Sequence, residues 1–106
     1  MTDQDLVQTM FNGLSAYQNG RLTEAIELLS KALEIKHDEW EARLYLGMSY
    51  YRTGLRKQAR YQFQTIMDWC QNQEIRKMAK VALEAVNLEM NNPQQSDKGS
   101  SGYHEM

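Results

Sequence analysis

"GLSAYQNGRLTEAIELLSKAL" (Gly13–Leu33) and "GMSYYRTGLRKQARYQFQTIM" (Gly47–Met67) are one pattern written twice. Gly13 and Gly47, Ser15 and Ser49, Tyr17 and Tyr51, Gly20 and Gly54, and Ala25 and Ala59 each stand 34 residues apart, with no gap. Self-similarity at a fixed period of this size marks a stack of supersecondary units, each too small to bury its own apolar face.

The period within each unit is helical. Leu6, Met10, Gly13, Leu14 and Tyr17 recur at intervals of three and four, and Leu22, Ala25, Ile26, Leu29, Leu33 and Ile35 do so after Gly20. That is the spacing of two amphipathic helices split by a glycine turn. The second unit repeats it, with a helix from Trp40 to about Thr53, a turn at Gly54 and a helix from about Leu55 to Trp69. Asp38 stands three residues before Glu41, the spacing of a capping box. Asp3 and Asn72 are the expected caps of the first and last helices. A fifth helix is predicted over 74–90, with Ile75, Met78, Ala79, Ala82, Val86 and Met90 as its apolar stripe and Arg76, Lys77, Lys80 and Glu84 on its other side. No segment reads as a strand. The fold class is all-α, about five helices.

These residues resemble the tetratricopeptide repeat (TPR) family, whose units are 34-residue helix–turn–helix pairs. Gly13, Gly20, Ala25 and Ala32 match the small residues of the pattern in the first unit; Gly47, Gly54, Ala59 and, less typically, Ile66 match in the second. The resemblance covers roughly 6–73, as repeats 6–39 and 40–73, and "LYLGMSYYRTG" carries it most closely. It implies αα-hairpins stacked in a short right-handed superhelix, with the helix over 74–90 covering the open edge. Thr9 and Arg43 depart from it where the family has a bulky aromatic, Asn12 where it has leucine, and His37 and Gln71 where it has proline.

With 106 residues, 42% hydrophobic and 25% charged, the chain has the make-up of one globular domain. The expected domain is 1–90, followed by a flexible polar tail over 91–106, which holds the only proline. The net charge of −2 hides a gradient, since 1–39 carry −4 and 40–90 carry +3. With no basic-then-apolar leader and no apolar run near the roughly 20 residues of a membrane span, the expected location is the cytoplasm. Cys70 is the only cysteine, so no internal disulfide forms. It has no histidine near it in sequence to make a thiolate and is expected half-buried near a helix end. "HDE" at 37–39 is too small for a metal site and reads as a solvated loop. No active site, metal or cofactor is expected, and the chain is read as a non-enzyme.

The resemblance implies a ligand surface across the first helices of successive repeats. Its contact positions fall on Val7, Met10, Leu14, Tyr17 and Gln18 in the first unit and on Glu41, Leu44, Met48, Tyr51 and Arg52 in the second. Methionine and tyrosine there suit an amphipathic helix or apolar peptide. The leading expectation is a protein-interaction module or adaptor. A small chaperone shielding a hydrophobic client segment is the alternative, and self-association as a homodimer would cover the same surface. The relatives that grip a C-terminal carboxylate use lysines and asparagines, where this chain has Met10, Leu14 and Tyr45, so a receptor for chaperone tails is not expected. A basic rim of Arg56, Lys57, Arg60, Arg76 and Lys80, with Arg52 and Lys77, raises nucleic acid as a third partner class. The acidic total and the lack of a nucleic-acid motif stand against it.

Overall fold

The computed structural model describes residues 3–91. Five helices account for nearly all of them: α1 (Asp3–Gln18), α2 (Leu22–Ile35), α3 (Trp40–Arg52), α4 (Arg56–Trp69) and α5 (Gln73–Asn91), with no strand among the described residues. Each helix packs on the next in sequence. In addition α1 touches α3 and α3 touches α5, while α2 and α4 do not meet. Odd helices that converge while even ones splay apart give a curved stack whose inner face is built by α1, α3 and α5. Beyond Asn91, the predicted tail lies outside the described residues.

The repeat is legible in the backbone atom by atom. In the first unit the Arg21 N–H donates to the Ala16 carbonyl (2.9 Å) and the Gly20 N–H to that of Tyr17 (3.1 Å). In the second, Leu55 donates to Tyr50 (2.9 Å) and Gly54 to Tyr51 (3.1 Å). These are paired Schellman closures, which need a left-handed residue after the helix. Gly20 (φ 79°) and Gly54 (φ 84°) supply it without a Cβ penalty.

The other repeated glycines allow close approach. A Cβ on Gly13 would lie 2.8 Å from Leu29 Cδ2, and one on Gly47 would lie 2.6 Å from Phe63 Cε1. Hence α1 seats on Leu29 of α2, and α3 on Phe63 of α4, with no Cβ of its own in the way. Ala25, Ala32, Ala42, Ala59 and Ala79 are fully buried where helices cross. The core falls into two clusters. Leu6, Leu29 and Leu46 anchor the first; Leu44, Phe63, Ile66 and Val86 anchor the second. Tyr45 and Tyr50 of α3 pack against both, so α3 is the shared wall.

One start signal needs correction. α3 takes Glu39 as its N-cap with no side-chain cap bond, so Asp38 lies one residue too early for the capping box. Lys36 Nζ instead draws Asp38 and Glu39, each at 3.5 Å. Asp3 lies in the first turn of α1, where its charge favours the helix N-terminus. Asn72 does cap α5, its Oδ1 accepting from the Ile75 N–H at 3.0 Å. Cys70, expected half-buried, is 2% exposed, because it closes α4 against the second cluster.

Candidate functional site

The inner face collects the side chains that the 3.6-residue period leaves over once each helix has buried its core stripe. On α1, Met10, Leu14 and Tyr17 are half-buried against the first cluster. Val7 and Phe11 share a face with Leu14 and Gln18 by a four–three–four spacing, and both are about two-thirds exposed. On α3, Met48 is half-buried beside the second cluster. Between Met48 and α5 opens a cavity of about 440 Å³ lined by Met48, Lys77, Met78, Val81 and Ala82. Its wall is almost wholly apolar, with Lys77 as the one charged side chain on its rim.

Not every expected groove residue is available there. Leu44 is 2% exposed and belongs to the second core, because its side of α3 faces α4 and α5. Tyr17 stands edge-on to Tyr45, ring centroids 5.2 Å apart, and the Arg52 guanidinium lies 5.0 Å over the Tyr17 ring. That cation–π contact ties the end of α3 to α1. The Tyr51 hydroxyl donates to Glu89 Oε2 of α5 at 2.5 Å. Tyr17, Tyr51 and Arg52 thus brace the groove wall. Glu41 and Gln18 are exposed.

The basic rim dissolves into separate duties. Arg56 Nε donates to Glu89 Oε1 at 2.8 Å, joining the start of α4 to the end of α5. Glu89 therefore receives one bond from α3 and one from α4. Its carboxyl is held below the ordinary range, first by the Tyr51 bond and then by Arg56, and the Tyr51 phenol is raised by the same bond. Arg76 Nη1 donates to the carbonyls of Met67 (2.6 Å) and Cys70 (3.2 Å), satisfying the negative end of α4. Lys57, Arg60 and Lys80 of the rim stay exposed, as do Arg52 and Lys77.

Arg43 fills the place where the resembled pattern has an aromatic. Its guanidinium bonds Gln62 Oε1 (2.8 Å) and the His37 carbonyl (2.9 Å) and lies 5.8 Å from the Trp40 ring centre. Its Nε is buried without an acceptor, and burial lowers its pKa. It borders a second cavity of about 440 Å³ with His37, Asp38, Trp40, Thr65 and Trp69.

The residues missed by sequence reading are the α5 set Lys77, Met78, Val81 and Ala82, which line the cavity beside Met48, and Phe11, exposed on α1. A signal was present: "MAKVALEAVNL" places Val81, Ala85 and Leu88 next to Met78 at the edge of the packed stripe, so the apolar face of α5 is wider than its core contact needs. Among the described residues no three of His, Cys, Asp and Glu come close enough to share a metal ion, and no helix is long and apolar enough to cross a membrane.

Searches among curated proteins and among solved structures gave no match. Residues 13–54 match the family model of the TPR repeat, from the close-packing glycine of the first unit to the turn glycine of the second. Repeats of this kind generally mediate protein–protein interaction. The packed helical hairpins are consistent with that match.

Proposed function

We propose that the chain is an adaptor that holds an amphipathic helix or apolar peptide of a partner protein on its inner face. The observation that carries this reading is the apolar cavity between Met48 and α5, lined by two methionines and a valine. Its volume suits one or two apolar anchor side chains, and methionine adapts to their shape. Met10 and Leu14, with exposed Val7 and Phe11, extend an apolar track along α1 for further anchors at helical spacing. Glu41 and Gln18 supply a polar edge.

The test is selection of amphipathic-helix peptides from a displayed library on the full chain, followed by titration of the selected peptide. Met48→Glu and Leu14→Glu should each weaken it by tenfold or more while far-ultraviolet circular dichroism stays helical. Lys57→Glu, away from the cavity lining, should leave it unchanged. Unaltered affinity in both groove variants would overturn the assignment.

A further inference from the structure

Arg43 is a cation without a counter-charge. Its guanidinium donates to neutral acceptors, Gln62 Oε1 (2.8 Å) and the His37 carbonyl (2.9 Å), and it forms no ion pair among the described residues. Its Nε–H is buried with no acceptor. Burial pushes its pKa down, the mark of a desolvated charge. A partly buried cation held by neutral groups alone costs the fold free energy, and an anion that reaches it offsets that cost.

The cavity that Arg43 borders has room for a small anion and a chemistry that selects one. Its volume is about 440 Å³, within the roughly 300–1,000 Å³ of small-ligand sites. Both tryptophans of the chain line it, Trp40 half-buried and Trp69 72% exposed. Their indoles offer flat apolar faces on which a second ring can stack. Asp38 is the one carboxylate of the lining, and it lies 3.5 Å from Lys36 with no ion pair to Arg43. A cationic ligand would meet a like charge there, and a purely apolar one would desolvate Arg43 further.

The first repeat shows what is particular to the second. Thr9, Lys31 and Ile35 stand 34 residues before Arg43, Thr65 and Trp69 and line a cavity of about 360 Å³ at the matching place in the first hairpin. That cavity has no aromatic wall, and its one cation, Lys31, shares it with two carboxylates, Asp5 and Glu34. The opening therefore belongs to the repeat, while the guanidinium and the indoles belong to the second unit. We propose that the Arg43 cavity binds a small aromatic carboxylate, its ring against the Trp40 and Trp69 indoles and its carboxylate paired with the Arg43 guanidinium. The site is separate from the inner face, since no residue lines both cavities.

Because both tryptophans border the site, the tryptophan emission of the full chain reports on it directly. Titration with phenylacetate should give a saturable change with a dissociation constant of about 1 mM or tighter, an ordinary strength for a ligand of about ten non-hydrogen atoms. Phenylacetamide, its uncharged isostere, and acetate, which lacks the ring, should each bind at least about tenfold more weakly. An amide that binds as well as the acid overturns the pairing with Arg43. Acetate that binds as well overturns the indole contact, and no saturation by phenylacetate overturns the site. By calorimetry, Arg43→Gln and Trp69→Ala should each raise the dissociation constant for phenylacetate about tenfold with helicity unchanged; unaltered affinity in either overturns that residue's part. Should Arg43→Gln fail to fold, the amide isostere decides the charge pairing on the parent chain. Met48→Glu, which disables the proposed peptide groove, should bind phenylacetate as the parent does. Loss of binding there would seat the acid in the inner-face cavity and overturn the assignment.

Discussion

At the scale of single residues, the repeated glycines differ in what they permit. Alanine at Gly47 would drive a methyl into Phe63, which is fully buried and aromatic and has nowhere to move. Overpacking of that kind costs about 1–3 kcal/mol, against roughly 0.5–1 kcal/mol returned by helix propensity. Gly47→Ala should therefore lower stability by about 1–2 kcal/mol in urea unfolding. Gly13→Ala should cost less, because the methyl meets the branched end of Leu29, which can turn. Equal losses at the two sites would show that Phe63 relaxes as freely as Leu29. Gly54→Ala acts by another route: its φ of 84° is strained for any residue with a Cβ, so about 1 kcal/mol should be lost with no contact changed. The turn role of Gly20 and Gly54 was legible from spacing, and the close-packing role of Gly13 and Gly47 came with the family resemblance. The fate of Arg56 was not. Its partner Glu89 lies on another helix, 33 residues away, and no local rule couples the two.

At the scale of elements, caps and clasps decide how helices begin and hold. Asn72→Ala removes the side-chain acceptor of the Ile75 N–H and should cost about 1 kcal/mol, with faster amide exchange in the first turn of α5. Asp38→Ala should change stability by no more than a few tenths of a kcal/mol, because Asp38 caps nothing and holds only an exposed pair with Lys36. The sequence suggested capping roles for both, and what separates them is a helix start displaced by one residue, below the accuracy of periodicity. Glu89 joins α3, α4 and α5 through Tyr51 and Arg56. Glu89→Gln should cost about 1 kcal/mol near neutral pH. The carboxyl pKa is lowered in the folded chain, so its contribution is present above the ordinary carboxylate range and lost as pH falls through the folded value. The Tyr51 pKa is raised, so the folded state keeps that proton longer and stability falls as pH climbs past the ordinary tyrosine value. Stability against pH should accordingly narrow at both ends in the parent chain relative to Glu89→Gln; parallel curves would show that the clasp contributes nothing.

At the scale of the whole molecule, the five helices of the described residues share two cores, and among them only α3 belongs to both, through Tyr45 and Tyr50. The sequence foretold the stack because each helix repeats a local pattern. The inner face was only partly foretold, because which leftover side chains meet depends on how far α5 leans toward α3. Leu44 was placed in the groove by family position and lies in the core, whereas Met78 and Val81 line the groove and could be assigned only once α5 was seated beside Met48. In a nearest-neighbour stack, a defect in a terminal element is felt locally, and a defect in the shared wall is felt throughout. Val86→Ala hollows the contact of α5 with the second cluster and should cost about 2 kcal/mol. Hydrogen exchange should then accelerate in α5 first, leaving α1 and α2 near their parent rates. Leu46→Ala, in α3, should cost about 2–4 kcal/mol and raise exchange in all five helices together. Should Val86→Ala accelerate α1 and α2 as much as α5, the stack would be one cooperative unit, and α5 could not open independently of the repeats it covers.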